Sequence, residues 1–352
     1  MMGEMTKAER VRAALDGKTV DRIPVSFFNH NHEVESNTNV LAEYLLMLYR
    51  KFDWDFLKAS LRPSYYAEAW GCEVSFYPDR VPVIDSYVIH KAEDLRALRE
   101  LKVTEGVLGE HVEVAKKLRQ GLGEKELFIM TLFSPLAVVA RLAGGVINTP
   151  SEYLNVQRFM NEDPDALHHA LRVISETLAD YVVQLVRAGA NGIYLSTSVW
   201  SGDTISQDDY KKFGKPYDLT VLNSAVDEGA DFNILHICRE NIFFDAFIDY
   251  PVDVINYEAT SQRNPSLKEA MCKTDKALWG GLDHRNTLVN GPEDKIIAET
   301  YDALDQTGGT RFILGNGCTS PSDIPDAHYI AAREATISWR GQAAAGKETS
   351  GT

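Results

Sequence analysis

The 352-residue sequence has no hydrophobic run long enough to cross a bilayer, and its first residues lack the apolar segment of a secretory signal. Its four cysteines are too few for a disulfide framework and suit thiols that stay reduced. Acidic residues number 51 against 36 lysines and arginines, and the net charge of -15 argues against nucleic acid or an anionic membrane as a partner. These absences predict a cytoplasmic protein.

The sequence also lacks any linker rich in proline, glycine or serine that would divide it into domains. Apolar residues make up 44% of the chain and charged residues 25%, which is typical of a soluble globular protein with material for a large core. We therefore expect one domain over residues 1–340. The small and polar residues 341–352 predict a disordered tail.

Short apolar segments, each followed by a longer amphipathic segment, recur along the chain as in repeated strand and helix units. Eight predicted strands can be read in this way: Arg22–Phe28, Phe56–Ser60, Leu127–Phe133, Gly192–Thr197, Phe232–Ile237, Val252–Glu258, Ala277–Leu282 and Arg311–Gly317. Eight parallel strands with crossover helices close into a barrel, so the predicted fold is an α/β protein of the (β/α)8 TIM-barrel type. A helical extension is predicted over Lys7–Gly17, and an inserted hairpin over Val74–Tyr77 and Val81–Ile84.

The fifth predicted strand ends in a His-x-Cys pair, His236 and Cys238, and Cys318 follows the eighth strand. Strand residues two apart point the same way, so the pair faces one point, which Cys318 can reach from another part of the fold. Two thiolates and one imidazole fill three positions of a tetrahedral zinc, and an open fourth position is typical of a catalytic zinc. Buried cysteines beside a hydrogen-bonded histidine are the alternative, and the residues alone leave both interpretations open.

Barrels of this class carry their active sites at the carboxyl ends of the strands, although polar residues are also common in such loops. The polar residues at those ends are His30, His32, Ser134, Ser196, Ser198, Glu258, Asp283, His284 and Asn316. Catalytic roles are predicted for Glu258 and Asn316. Substrate contacts are predicted for six residues: His30, His32, Ser196, Arg239, Asp283 and His284.

Short motifs along the chain carry a family resemblance through their order: Thr6–Arg10, Asp21–Val25, Phe133–Leu136, Gly280–Asp283, and Ile313–Gly317 followed by Pro321. In this order they resemble the uroporphyrinogen decarboxylase superfamily over nearly the whole chain. One branch of that superfamily contains decarboxylases that use no cofactor. A second branch contains corrinoid-dependent methyltransferases with a zinc-binding His-x-Cys and a distant Cys, which His236, Cys238 and Cys318 match residue by residue.

The chain departs from the decarboxylase pattern in the loop after the first strand, where that branch places paired arginines to hold substrate carboxylates. Residues 30–35 here read His-Asn-His-Glu-Val-Glu, and two glutamates would repel a polycarboxylate. Asn316 replaces the histidine of a Gly-His-Gly motif, and Ser196-Thr197-Ser198 replaces an acidic motif. The methyltransferase pattern usually has glycine where this chain has Arg239, whose cation is expected either to hold a substrate anion or to form a surface ion pair.

The resemblance implies that zinc binds an acceptor thiol as its thiolate, which attacks the methyl group of a methylcobalamin-type corrinoid carried by a partner protein. A pterin is the alternative acceptor. Glu258 is expected either to be a fourth zinc ligand in the resting enzyme or to orient His236. The sequence leaves the oligomeric state open, with a homodimer among the allowed assemblies.

Three other functions stay open at this point. The first is cofactor-free decarboxylation of a tetrapyrrole, and the second is a barrel that binds a corrinoid protein without catalysis. The third is a hydrolase resembling the amidohydrolases, in which His30, His32 and His236 would hold the metal. That hydrolase would need an aspartate at the end of the eighth strand, where the chain has Asn316. Cys72 and Cys272 are expected to pack as small apolar residues.

Overall fold

Seven parallel strands form one curved sheet in the computed structural model, which describes residues 3–144, 153–198 and 201–349. The strands in chain order are β1 Leu57–Ala59, β2 Glu73–Ser75, β3 Val83–Ser86, β4 Phe128–Phe133, β5 Gly192–Thr197, β6 Ile234–Ile237, β7 Val254–Tyr257, β8 Ala277–Leu282 and β9 Phe312–Asn316. The sheet runs in the order β1, β4, β5, β6, β7, β8, β9, and every pairing in it is parallel. Its strands are buried on both faces, which explains their continuous apolar sequences.

The segment around Val25 closes the sheet into a barrel between β9 and β1. Ser26 N donates to the carbonyl oxygen of Leu314 at 3.1 Å and Leu314 N donates to that of Pro24 at 2.9 Å, while on the other side Asp55 N donates to the carbonyl oxygen of Val25 at 2.8 Å. The predicted (β/α)8 barrel is confirmed. Its first strand is reduced to isolated bridges because Pro24 has no N–H and the N–H of Val25 binds the Asp55 carboxylate instead.

Helices cover the outside of the barrel. In chain order they are α1 Lys7–Leu15, α2 Thr38–Lys51, α3 Tyr65–Ala69, α4 Ala92–Ala97, α5 Gly106–Leu122, α6 Pro135–Leu142, α7 Leu154–Glu162, α8 Pro164–Arg187, α9 Gln207–Phe213, α10 Lys215–Asp227, α11 Leu267–Met271, α12 Thr287–Asn290, α13 Glu293–Thr307 and α14 Asp326–Thr349, with a short 3-10 helix at Phe244–Ala246. None of the described helices is long and apolar enough to span a membrane.

The N-terminal extension is a helix, as predicted, and it lies across the amino-terminal end of the barrel. A capping box between Thr6 and Glu9 begins α1. Arg10 on its inner face forms ion pairs with Asp21 at 2.7 Å and with Asp55 at 2.7 Å, and Arg22 pairs with the other Asp55 oxygen at 2.7 Å. This buried network holds the helix against the amino-terminal end of the barrel, which we call the floor.

Two peripheral segments differ in detail from their predictions. The inserted hairpin exists, but its strands β2 and β3 are offset from the predicted segments by one or two residues. A disordered tail was predicted over residues 341–352, whereas the backbone of residues 341–349 continues α14, and residues 350–352 lie outside the described residues. Alanine-rich sequence favours helix, and this stretch follows directly on a helix already formed, which accounts for the difference.

Candidate metal centre

Three potential metal ligands converge at the carboxyl ends of β6 and β9. His236 lies within β6, Cys238 follows that strand, and Cys318 follows β9. One ligand atom from each lies within 4.8 Å of the other two. The two Sγ atoms are 3.7 Å apart, and Cys318 Sγ is 3.5 Å from His236 Nε2. The two sulfurs are too far apart for a disulfide, which requires an S–S distance of about 2.05 Å.

These spacings fit zinc. With Zn–S near 2.3 Å and Zn–N near 2.05 Å, a tetrahedral ion separates two sulfurs by about 3.8 Å and a sulfur from a nitrogen by about 3.6 Å. The observed distances of 3.7 Å and 3.5 Å agree with both values. Two soft sulfurs and one imidazole are also the donor set that zinc prefers, and three protein ligands leave one position for substrate.

The two thiols share a hydrogen bond that makes Cys318 more acidic and Cys238 less acidic. That bond raises the pKa of Cys238 well above the ordinary value, with burial adding to the effect. The same bond lowers the pKa of Cys318, against the opposing effect of burial. The pair therefore loses its first proton readily and its second reluctantly, so a cation between the sulfurs is needed to hold both as thiolates.

His236 is buried and oriented by an aromatic ring. Its imidazole stacks on Tyr194 with centroids 5.2 Å apart and planes at 19°. Its Nδ1 has no hydrogen-bond partner among the described residues, so the predicted orientation of this ring by Glu258 is not seen. Ser196 pairs with His236 in the β5–β6 register, and it lies two residues from Tyr194, so its side chain faces the same interior.

Glu258 and His284 lie beside the three ligands without joining them. The Glu258 carboxylate accepts from Arg285 Nη2 at 3.0 Å, and burial, its largest influence, raises its pKa. His284 Nε2 accepts from Arg285 Nε at 3.3 Å, and burial followed by that cation lowers the pKa of His284 to about 4. His284 is therefore a neutral imidazole, and its Nδ1 also lacks a partner among the described residues.

Asn316 positions Cys318 instead of contacting a reactant. Its Nδ2 donates to the carbonyl oxygens of Cys318 at 2.6 Å and Phe28 at 2.8 Å, and its Oδ1 accepts from Phe28 N at 3.2 Å. The fully buried amide has its polar atoms engaged within the protein. We therefore correct its predicted catalytic role to positioning, because an amide bound in this way has no group left for substrate.

Gly317 permits the close approach of this loop to β7. A Cβ at this position would lie 2.7 Å from Glu258 Cα and 2.8 Å from the carbonyl oxygen of Tyr257. Any side chain here would push the loop away from its neighbour and move Cys318 out of the ligand cluster. The glycine that follows Asn316 is thus required by the geometry of the centre.

Arg239 adopts a left-handed backbone conformation, with φ of +79°, in which glycine would be less strained. Its Nε donates to the carbonyl oxygen of Ser198 at 3.0 Å, and its guanidinium lies 5.5 Å from the centre of the Tyr153 ring. Among the described residues, the contacts of Arg239 thus include a backbone contact and an aromatic contact, and both of its expected roles stay predictions.

Asp283 holds its own loop. Its carboxylate accepts from Arg285 N at 2.8 Å and from Asn286 N and Nδ2 at 3.1 Å and 2.9 Å. Burial would raise its pKa, but these hydrogen bonds lower it overall. A carboxylate engaged in this way shapes the turn, and its predicted contact with substrate stays a prediction.

His30 and His32 are held together by a buried carboxylate. Glu35 accepts from His30 Nδ1 at 2.5 Å and lies 3.1 Å from His32 Nδ1, and the two imidazoles stack with centroids 5.8 Å apart. Burial would raise the pKa of Glu35, but the two histidines hold it at about 2. Since His236 groups with the two cysteines, the hydrolase arrangement of His30, His32 and His236 is wrong.

Lys58 is a residue of the site that sequence reasoning missed. It lies within β1 and is 3% exposed, with Nζ 4.3 Å from the centre of the Phe28 ring and 4.6 Å from that of Tyr194. Burial lowers its pKa to about 7, against the opposing influence of Cys318 and then Glu35. A lysine in the middle of the otherwise apolar segment Phe56–Ala59 was the available signal, because such strands are buried on both faces.

An aromatic layer lies beneath the ligands and fills the barrel. Its members contact each other with ring centroids between 5.0 and 5.9 Å apart: Phe28, Phe56, Tyr194, Phe232 and Trp279. Tyr194 OH donates to Asn256 Oδ1 at 2.9 Å, and Trp279 Nε1 donates to the carbonyl oxygen of Ser26 at 2.9 Å. The metal centre therefore lies on a rigid apolar layer that separates it from the amino-terminal end of the barrel.

Comparisons with known proteins identify a family and several chains that this chain resembles. The family described as uroporphyrinogen decarboxylase (URO-D) matches residues 6–339. The methylcobamide:CoM methyltransferase MtaA of Methanosarcina barkeri is 25% identical over 336 residues, covering 90% of this chain and 93% of the relative. A uroporphyrinogen decarboxylase of Prochlorococcus marinus is 24% identical over 206 residues, covering 58% of this chain and 56% of the relative.

Among solved structures, a methyltransferase from Methanosarcina mazei superimposes with a TM-score of 0.81. The two chains are 22% identical, and the match covers 96% of this chain and 100% of the other. At this identity the likeness establishes the fold.

Proposed function

The chain belongs to the uroporphyrinogen decarboxylase family, and we propose that this enzyme is a zinc-dependent methyltransferase acting between a corrinoid on a partner protein and a thiol. The observation that carries the proposal is the spacing of His236, Cys238 and Cys318, which suits a tetrahedral ion with one position free. Relatives named methylcobamide:CoM methyltransferases that match 90% or more of this chain support the choice of reaction.

Each group at the centre has a proposed part in the reaction. His236, Cys238 and Cys318 would hold the zinc, which when bound supplies a Lewis acid that keeps an acceptor thiol deprotonated at neutral pH. Glu258, whose charge acts on Cys318, is proposed to fill the open position until the thiol arrives. Methyl transfer then forms a carbon–sulfur bond and breaks the cobalt–carbon bond of the corrinoid substrate, whose electron pair remains on cobalt as Co(I).

The alternative functions are less well supported by the residues at the carboxyl end of the barrel, which we call the mouth. A thiol acceptor is favoured over a pterin because the open position of a thiolate-rich zinc site binds sulfur well. Decarboxylation of a tetrapyrrole would need cations in the loop after the first strand, where Glu35 engages the only two basic side chains, His30 and His32. Free cysteines at the centre suit a reducing compartment, so the proposed location is the cytoplasm.

Metal content and thiol methylation together test the proposal. Purified protein is expected to contain about one zinc per chain and to transfer the methyl group of methylcobalamin to 2-mercaptoethanesulfonate or another simple thiol. Cys318→Ser and His236→Ala are both expected to lose the metal and the activity. Cys272→Ser, which changes an exposed thiol outside the centre, is the matched control and should keep both.

Two results would contradict the proposal. Protein prepared without chelators that contains no zinc and gains no activity when zinc is added would exclude the metal mechanism, and decarboxylation of a porphyrinogen by that protein would identify the rival branch. Protein that holds zinc and binds a corrinoid protein but transfers no methyl group to any thiol or to tetrahydrofolate would point to a non-catalytic barrel.

A further inference from the structure

Lys58 is an ammonium group buried in the barrel without a carboxylate partner among the described residues. Its Nζ donates one hydrogen bond, to Ser60 Oγ at 3.2 Å, and otherwise lies against the faces of Phe28 and Tyr194. Burying a cation with so few polar contacts is costly, and a methionine would fill the same space without that cost. A charge retained in such a place needs an anion nearby to account for it.

The charged groups that act on Lys58 belong to the metal centre and its rim. They are Cys318, once its sulfur is a thiolate, and the carboxylate of Glu35, which is already occupied by His30 and His32. Tyr194, whose ring receives the Lys58 ammonium, also stacks on the imidazole of His236. Lys58 therefore lies against the same Tyr194 ring as the potential metal ligand His236, at the base of the metal centre.

The net charge of the occupied metal centre determines which ligands Lys58 can stabilise. A divalent ion held by two thiolates and a neutral imidazole has no net charge, and a thiolate at the open position makes the centre singly negative. A neutral ligand leaves that charge unchanged. A nearby buried cation favours the singly negative state, because Coulomb interactions are stronger away from water.

We propose that Lys58 is a positioning residue that makes the open position of the metal centre selective for a thiolate over a neutral ligand. This inference rests on the proposed function and deepens it by naming what sets the charge of the accepted ligand. When a thiol binds, its S–H bond breaks, a sulfur–metal bond forms and the proton leaves to solvent. Below its pKa of about 7, Lys58 is an ammonium group that stabilises the resulting anion.

Ligand binding to the cobalt(II)-substituted protein tests the inference without measuring turnover. Cobalt has visible absorption that changes with its ligands, so 2-mercaptoethanol and imidazole can be titrated on the same protein. In Lys58→Met the affinity for 2-mercaptoethanol at a pH of about 6.5, where Lys58 is mostly charged, is expected to fall about tenfold or more, while that for imidazole stays within about twofold. Lys58→Gln should behave in the same way if the methionine variant folds poorly. Lys276→Met, which removes a half-buried lysine just before β8, is the control and should change neither affinity.

The outcomes separate Lys58 from the proposed function. Equal weakening of both ligands would show a merely structural role, and unchanged affinity for 2-mercaptoethanol would show no role, so either result overturns the inference while thiol binding stands. A wild-type protein that binds cobalt but no thiol would overturn the proposed function and this inference together. Selective loss of thiolate binding, with metal content unchanged, supports it.

Discussion

The two ends of the barrel differ in how their buried ionisable groups are paired. At the amino-terminal end, the fully buried carboxylate of Asp55 accepts hydrogen bonds from Arg10, Arg22 and the N–H of Val25. At the carboxyl end, the imidazoles of His236 and His284 each keep an Nδ1 without a partner among the described residues. Unpaired buried groups cost free energy, so the difference separates an end built for stability from an end built to bind something.

The aromatic layer between the two ends keeps their electrostatics apart. Charges at the floor are neutralised within the network of Arg10, Arg22, Asp21 and Asp55. At the mouth, the potential ligands His236, Cys238 and Cys318 are left to bind a metal. Mutations at the floor should therefore change folding and leave the site alone, and mutations at the mouth should do the reverse.

The largest stability effect is expected from Asp55→Ala at the floor. The change leaves two buried guanidinium groups without a shared partner, so the free energy of unfolding should fall by about 3–5 kcal/mol. Urea denaturation measures the loss, and metal content per folded chain should stay at the wild-type level. Asp16→Ala removes an exposed carboxylate that pairs with Lys18 and should cost less than about 1 kcal/mol. A comparably small loss for Asp55→Ala would contradict the comparison.

The buried imidazole of His284 at the mouth should make the stability of the protein depend on pH. The pKa of His284 is about 4 in the folded protein, below its ordinary value of 6.5. Between these values the unfolded chain binds more protons, so stability rises with pH, and up to about 3 kcal/mol is lost as the pH falls from 6.5 towards 4. Urea denaturation of metal-free protein across this range should show a shallower pH dependence for His284→Gln.

An exposed histidine provides the control for that measurement. His90→Gln should leave the pH dependence of the wild type unchanged, because His90 is exposed. If His284→Gln and the wild type lose the same free energy between pH 6.5 and 4, the neutral buried imidazole is not the source of the effect.

Asn316→Ala tests the link between the mouth and the first barrel segment. The carbonyl oxygens of Phe28 and Cys318 and the N–H of Phe28 would lose their partner, with an expected cost of about 2 kcal/mol in unfolding free energy. Since Cys318 is released, zinc affinity should also fall, as measured by competition with a chelator. Asn161→Ala changes an exposed asparagine and should alter neither quantity. Reduced stability with unchanged zinc affinity would limit Asn316 to packing.

Sequence patterns predicted the barrel and the ligands because both depend on local regularities. Buried parallel strands give continuous apolar segments, and the barrel brings their carboxyl ends together, so His236, Cys238 and Cys318 were predicted as a group before their distances were known. The family and the fold that the sequence predicted are confirmed. The zinc assignment stays a prediction that the spacing supports.

Roles that depend on where a side chain turns could not be read in the same way. Asn316 and Asp283 lie at strand ends as expected, but their polar atoms turn to the backbone. Glu35 was interpreted as a repulsive loop charge, whereas it is buried and binds two histidines. Lys58 was taken as part of an apolar strand. The partners range from Phe28, far from Asn316 in sequence, to His30, five residues from Glu35, and the periodicity of strands and helices reports neither contact.

Arg239 gives the smallest and most discriminating test, because it combines an unfavourable backbone conformation at the mouth with a stabilising contact. Arg239→Ala loses the hydrogen bond to the Ser198 carbonyl oxygen and keeps the strain of φ +79°, whereas Arg239→Gly loses the bond and relieves the strain. The glycine variant should therefore be the more stable of the two by about 1 kcal/mol in urea denaturation. At Arg263, whose φ is not positive, alanine should instead be the better replacement. The same order at both positions would mean that the mouth stores no strain at Arg239, and the contrast between the two ends of the barrel would then rest on the unpaired Nδ1 atoms of the two imidazoles alone.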